Sequence, residues 1–199
     1  MDVVLVDAGG ANIGSVQYAL ERIGARARLS ADPAVIGAAD RVILPGVGAA
    51  PAGMRRLHEL GLVDVVRGLT QPLLGICLGM QLLFDSSEEG DVRCLGLLPG
   101  RVAKLQPAPG LRVPHMGWNH LRLLRQDALM AGLDADAAAY FVHSYAAPVT
   151  VDTVASCTHG ADFAAVVRRG NCQGAQFHPE RSGTVGARLL QNFLSAASA

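Results

Sequence analysis

Pro72-Leu73-Leu74-Gly75-Ile76-Cys77-Leu78-Gly79-Met80-Gln81-Leu82-Leu83-Phe84 is the stretch that decides the fold. Pro72–Ile76 is apolar without alternation, as a strand buried on both faces of a parallel sheet reads. An apolar run around Gln81 follows directly after Cys77. At the junction, Gly75-Ile76-Cys77-Leu78-Gly79 spells G-x-C-x-G, a cysteine form of the nucleophile elbow. Such a turn from strand to helix lifts one side chain above the sheet in a strained conformation, and flanking glycines allow tight packing. The helix that follows aims its dipole and free N–H groups at the sulfur, which favours the nucleophilic thiolate. A core cysteine beside two loop glycines is the alternative on these five residues alone.

Working outward, the same rhythm repeats. Asp2–Asp7 is a Val/Leu-rich strand followed by the glycine loop Gly9-Gly10. Ile13, Val16, Leu20 and Ile23 then recur at helical spacing until Gly24. Arg41–Leu44 is another short apolar strand, ending in Pro45-Gly46. Met54, Leu57 and Val65 fit a helix facing a core. This β-loop-α order predicts an α/β fold: a single doubly wound, mixed but mostly parallel sheet with helices on both faces. After about Gly90 strand-like pieces follow one another: 100–105, 140–145, 153–157, 163–168 and 172–177. Turn residues such as Pro107-Ala108-Pro109-Gly110 separate them, and they are expected to extend the same sheet as mixed or antiparallel strands. A last helix starts near Ser182, a candidate N-cap, and carries Val185, Leu189, Leu190 and Phe193.

The 199 residues favour one domain, residues 1–199, with a sizeable core. Formal net charge is zero, so nothing favours an electrostatic grip on nucleic acid. The N-terminus lacks a basic n-region, and the apolar stretch 72–84 falls short of the roughly 18 residues of a membrane span. A soluble, cytoplasmic protein with free thiols is expected. Cys77, Cys94, Cys157 and Cys172 form no C-x-x-C pair.

Two further motifs bear on chemistry. Phe177-His178-Pro179-Glu180 offers what a nucleophilic cysteine needs. A histidine moves the proton, and a carboxylate two residues on, on the same side of extended backbone, orients it. Alone it reads as a surface turn; with the elbow it reads as a base and its orienter. Pro45-Gly46-Val47-Gly48 ends a predicted parallel strand, where such sheets place their active crevice. With the Leu78 N–H it could form an oxyanion hole; a plain glycine turn is the alternative.

In this order, and over essentially the whole chain, these pieces resemble the class I glutamine amidotransferases. The resemblance implies hydrolysis of the glutamine side-chain amide through a cysteine thioester, with no cofactor and no metal. Cys77 then matches the nucleophile, His178 the acid/base and Glu180 the orienting carboxylate. Gly46, Val47, Gly48 and Leu78 match the oxyanion segment. Gln81, Glu89 and His143-Ser144-Tyr145 match the residues that grip the amino-acid end of glutamine. Pro114-His115-Met116-Gly117-Trp118-Asn119 and His178-Pro179-Glu180-Arg181-Ser182 are similar to the branch serving as glutaminase subunits of imidazole glycerol phosphate synthase. The opening segment from Asp7 to Val16 fits the same branch.

That branch implies a separate (β/α)₈-barrel cyclase subunit as heterodimer partner. Ammonia passes through it to make imidazole glycerol phosphate and aminoimidazole carboxamide ribotide in histidine synthesis. It also implies that Asn12, Met116, Trp118, Asn119 and Arg181 face that partner. Arg181 stands where some members carry Lys. A Trp118 that plugs the core is the alternative. The branch further implies that the Val47 peptide flips to complete the oxyanion hole once the cyclase holds its own substrate.

Other signals carry less. Gly9, Ala11 and Gly14 with Asp32 form a degenerate dinucleotide fingerprint in which Ala11 obstructs the pyrophosphate. His115 and His120 lack a third zinc ligand. His58 reads as solvated and His159 as a turn residue, while Cys94, Cys157 and Cys172 read as core filler. The competing functions are a class I glutaminase serving a different synthase, a stand-alone cysteine hydrolase, and an inactive binding subunit. The segment 114–119 argues against the first, and the intact Cys77, His178 and Glu180 against the last.

Overall fold

A computed structural model describes residues 1–9, 12–134 and 136–195. Gly10 and Ala11, of the first loop and the degenerate fingerprint, lie outside the described residues. The N-terminal half runs β1 (Val3–Val6), α1 (Ile13–Arg22), β2 (Ala27–Ser30), α2 (Pro33–Gly37), β3 (Arg41–Gly46), α3 (Ala50–Glu59), α4 (Leu62–Arg67), β4 (Leu73–Cys77) and α5 (Leu78–Leu82). Then come β5 (Phe84–Ser87), β6 (Val92–Arg93), β7 (Leu98–Lys104), β8 (His115–His120), β9 (Arg122–Leu123), β10 (Ala138–His143), β11 (Tyr145–Ala146), β12 (Thr153–His159), β13 (Ala161–Arg169), β14 (Cys172–Ala175) and α6 (Gly183–Ser195).

The central sheet has eight strands in the order β2-β1-β3-β4-β14-β13-β12-β9. The run from β2 to β14 is parallel, and the pairs beyond it are antiparallel. Its inner strands β1, β3 and β4 are apolar on both faces because helices cover both. Val3, Leu5, Ile43, Leu74 and Ile76 pack with Val16 and Leu20 of α1 and Leu189, Leu190 and Phe193 of α6. Val4, Val6, Val42, Leu44 and Leu73 pack with Ile36, Met54, Leu57 and Leu62 on the other side. The expected mixed α/β sheet is therefore present.

The second half differs in detail from the expectation of one continuous sheet. Strands β12, β13 and β14 extend the central sheet, but β8 and β10 form a separate antiparallel pair. Strands β11, β7, β5 and β6 form a third sheet. The stretch 140–145 divides accordingly, its first part pairing with β8 and Tyr145-Ala146 with β7. The single helix expected across Met54, Leu57 and Val65 is two helices, broken at Gly61, whose φ of 66° ends α3 and starts α4 anew. Ser182 precedes α6 as expected, but its hydroxyl donates to the His178 carbonyl (2.7 Å) and accepts from the Tyr140 N–H (2.9 Å). It therefore ties β10 to the His-Pro-Glu segment. Asp32 accepts from the Ala34 N–H (2.8 Å) and caps α2.

Candidate active site

Strand C-terminal ends and the loops after them build the site, as parallel sheets favour. Cys77 ends β4 and starts α5 with φ 53° and ψ −111°, a left-handed-side conformation that a non-glycine residue adopts only when its surroundings enforce it. The enforcing contacts are glycine approaches. A Cβ on Gly79 would stand 1.8 Å from the Leu44 carbonyl oxygen. One on Gly75 would stand 2.7 Å from the backbone of Gly79 and Met80, and one on Gly46 2.7 Å from the Gly79 N. The elbow spacing thus wedges α5 against β3 and β4.

Cys77 faces a cleft of about 420 Å³ lined in part by Val47, Gly48, Leu78, Gln81, Glu89 and His178. Asn12, His143, Ser144, Tyr145 and Arg181 line it as well. Gly46 itself packs beneath, against the elbow. The cleft thus gathers Cys77 and His178 of the expected triad, Val47, Gly48 and Leu78 of the oxyanion segment, and the expected substrate grip, while Glu180 lies buried behind His178.

His178 Nδ1–H donates to Glu180 Oε1 at 2.8 Å, with both side chains almost wholly buried. Asn12 Nδ2–H donates to the same oxygen at 2.6 Å. With Nδ1 taken, the Cys77 thiol can act only on Nε2. Burial alone would lower the His178 pKa, but the neighbouring Cys77 sulfur and the hydrogen bond and charge of Glu180 more than offset it and lift it to about 10. Burial would likewise raise the Glu180 carboxyl; the bond from His178, its charge and the Asn12 amide instead hold it below the usual carboxylate range. The pair is thereby set to carry a charged imidazole.

The residues expected to grip substrate are held in place by the protein itself. Gln81 Nε2 donates to the Tyr145 carbonyl (2.8 Å) and to Gln176 Oε1 (3.0 Å). Glu89 Oε2 accepts from the Ala50 N–H at the start of α3 (2.7 Å). His143 Nδ1–H donates to the Tyr145 carbonyl (2.8 Å). His143 Nε2 and His115 Nδ1 lie 3.1 Å apart.

The residues expected at a partner surface divide into two groups. Met116 and Trp118 are 63% and 59% exposed on β8, so Trp118 does not plug the core. Its ring meets Tyr140 edge-on, and the Arg181 guanidinium stacks over that same Tyr140, 4.3 Å from the ring centroid. Asn12 instead points inward at Glu180. Asn119 donates to the Thr158 carbonyl (2.9 Å) and approaches His115 Nε2 (3.2 Å).

Sequence reading missed Gln176. This fully buried carboxamide contacts Cys77 Sγ, and only its spacing, two residues before His178, could have pointed to it. Among the described residues no cluster of three metal-ligating side chains occurs. Cys94 and Cys157 are buried, which pushes their thiols up to about 11 and about 12, and burial raises Cys172 as well.

Comparison with known proteins agrees with this geometry. The family profile described as glutamine amidotransferase class-I matches residues 4–197. The protein of Xanthomonas euvesicatoria pv. vesicatoria named imidazole glycerol phosphate synthase subunit HisH is 65% identical over 193 residues, covering 97% of this chain and 96% of its own. A protein of the same name from Xylella fastidiosa is 59% identical over 198 residues, covering 100% and 99%. A solved structure titled as a glutamine amidotransferase superimposes with a TM-score of 0.76 over 98% of this chain and 97% of its own. At 22% identity that match speaks to the fold alone. The chain belongs to the class I glutamine amidotransferases, in the company of relatives named imidazole glycerol phosphate synthase subunit HisH.

Proposed function

We propose that the chain is the glutaminase subunit of an imidazole glycerol phosphate synthase, with Cys77, His178 and Glu180 as its catalytic residues. The observation that carries this is the buried, hydrogen-bonded His178–Glu180 pair beside a cysteine on a strained elbow. In this reading the Cys77 proton passes to His178 Nε2 and Sγ attacks the side-chain carbonyl carbon of glutamine. The carbonyl electron pair moves onto oxygen. The Leu78 N–H and the Val47–Gly48 segment supply the oxyanion hole.

Collapse of that intermediate breaks the C–N bond, and His178 returns the proton to the departing ammonia. A water then attacks the thioester, giving its proton to His178, and the C–S bond breaks to release glutamate. Gln81, Glu89 and His143–Tyr145 hold the amino-acid end. Because Gln81 spends its amide N–H groups on Tyr145 and Gln176, its oxygen is the atom left to accept from a substrate ammonium.

The partner in this reading is a (β/α)₈-barrel cyclase. It docks on the face of Met116 and Trp118 and takes the ammonia past Arg181 to its own nucleotide substrate. The same reading places the protein in the cytoplasm, in keeping with its free, buried cysteines. The conditional oxyanion donor is the Val47 N–H, with glycines on both sides, Gly46 and Gly48 (φ 93°), able to follow a flip of its peptide.

The test is glutamate release from glutamine by the chain alone, with the cyclase subunit, and with the cyclase plus its nucleotide substrate. Near-silence alone and strong activity in the full mixture are expected. Activity indifferent to the cyclase would assign the chain to another synthase, or to stand-alone hydrolysis.

A further inference from the structure

Gln176 follows β14 and stands two residues before His178, so one strand end delivers both side chains to the sulfur. It is 0% exposed. Its Nε2 lies 3.8 Å from Cys77 Sγ, the one acceptor it has among the described residues. Its Oε1 accepts from Gln81 Nε2 at 3.0 Å. That second bond fixes the orientation of the amide, because Gln81 offers only N–H groups at this contact. Gln176 must then turn its oxygen to Gln81 and its N–H to the sulfur. An apolar side chain would fill this site at no desolvation cost, so the carboxamide is here for its polarity.

We propose that Gln176 is a further catalytic residue whose Nε2–H donates to Cys77 Sγ. The inference rests on the glutaminase reading above. The donor matters when the sulfur carries negative charge. That occurs as its proton leaves for His178 before attack, and again when the C–S bond of the thioester breaks and sulfur takes the electron pair. Gln176 itself neither gains nor loses a proton. Gln81 lines the cleft where the amino-acid end of glutamine is held, so the contact also joins substrate recognition to the nucleophile through two hydrogen bonds. A hydrogen bond to a charged atom makes its loss worth about 10- to 100-fold in rate.

The test compares Gln176→Leu and Gln176→Glu with the parent in two assays. One is glutamine turnover in the complex with the cyclase and its nucleotide substrate. The other is the rate of Cys77 carbamidomethylation by iodoacetamide in the purified chain, read by peptide mass. The three remaining cysteines are buried thiols and react slowly. Gln176→Glu keeps an acceptor for Gln81 and, with its carboxyl ionised, replaces the donor by a negative charge, so both assays are run from about pH 7 to 9.5 to reach that form. The expected result is a fall in kcat of about 10- to 100-fold in both variants with KM little changed, and slowed alkylation of Cys77. Should Gln176→Leu fail to fold, Gln176→Glu carries the same comparison.

Parent-like kcat and alkylation in Gln176→Glu overturn the proposal. So does a raised KM with unchanged kcat, which would reduce Gln176 to a prop for Gln81. If the parent complex hydrolyses no glutamine while alkylation still depends on Gln176, the glutaminase reading falls and the contact with sulfur stands.

Discussion

His115 Nδ1 lies 3.1 Å from His143 Nε2, and both rings are buried among Phe141 and Phe163. The Tyr145 carbonyl accepts from His143 Nδ1, which leaves His143 Nε2 as an acceptor. His115 must then donate through Nδ1, leaving its Nε2 to accept from Asn119. Each ring is thus neutral, with its tautomer fixed by the next bond. Burial is the first cause that lowers both, His115 to about 4 and His143 to about 3. The neighbouring His159 charge adds to it, and the Tyr145 bond opposes it at His143.

The pair makes the protein acid-sensitive. Below the ordinary histidine pKa of about 6.5 the unfolded chain takes up protons that the folded one refuses, so stability falls as pH drops towards 4. Each tenfold loss of proton affinity is worth about 1.4 kcal/mol, so the fall amounts to a few kcal/mol. His178 runs the other way: its raised pKa adds stability below 6.5 that is lost as pH climbs through about 10. Urea midpoints at pH 7, 6, 5 and 4.5 should fall in order, and replacing His115 and His143 together by Phe should flatten the slope. A midpoint flat from pH 7 to 4.5 in the parent would refute the neutral pair.

Cys77→Ala should cut glutamine hydrolysis by at least about 10³-fold, since among the described residues no other cysteine lines the cleft to form the thioester. The elbow keeps its shape with the smaller side chain, so the complex should still use added ammonium salts for synthesis at the parent rate. Glutamate production surviving in the variant would mean that the nucleophile is elsewhere.

Gly79→Ala probes the elbow without touching the chemistry. Its methyl would lie 1.8 Å from the Leu44 carbonyl oxygen, a backbone atom that cannot turn aside. Separating α5 from β3 to admit it should cost at least about 3 kcal/mol. Thermal unfolding measures this directly; a melting temperature within two or three degrees of the parent would show that the approach relaxes cheaply.

Trp118→Ala should leave folding nearly untouched. The ring is 59% exposed, and its one aromatic neighbour among the described residues is Tyr140. A stability change below about 1 kcal/mol, a few degrees in a chain of this size, is expected. Association with the cyclase should weaken by about 2 kcal/mol or more, roughly 30-fold in Kd, as an anchor at an interface does. Calorimetric titration against the cyclase distinguishes this from an unchanged affinity, which would place the partner on another face.

How much of this was legible beforehand depends on the range of the contact. The elbow was legible because its glycines sit at fixed offsets from Cys77, and His178 with Glu180 because they stand two residues apart, although a 3-10 turn over Pro179–Arg181 and not the expected extended backbone brings the carboxylate back to the ring. Strand β2 was missed because it is an edge strand with exposed Leu29 and no buried run to read. The separation of β8 and β10 from the central sheet was equally hidden, since an apolar strand does not name its neighbour. Gln176 meets Cys77 across 99 residues, and Asn12 meets Glu180 across 168, so neither contact leaves a local pattern.

Asn12 gives the sharpest test of that hidden layer. Its φ of 90° suits glycine or asparagine, so Asn12→Gly removes the amide without adding backbone strain. Glu180 would lose one of the two donors on Oε1, and turnover should fall about 10-fold while the melting temperature stays close to the parent's. Asn12→Asp should do worse, because a carboxylate 2.6 Å from Glu180 Oε1 opposes the charge that steadies His178. The acid limb of the kcat profile should then move to higher pH as Glu180 becomes easier to protonate. If both variants turn over glutamine like the parent yet bind the cyclase weakly, Asn12 serves the interface and not the triad.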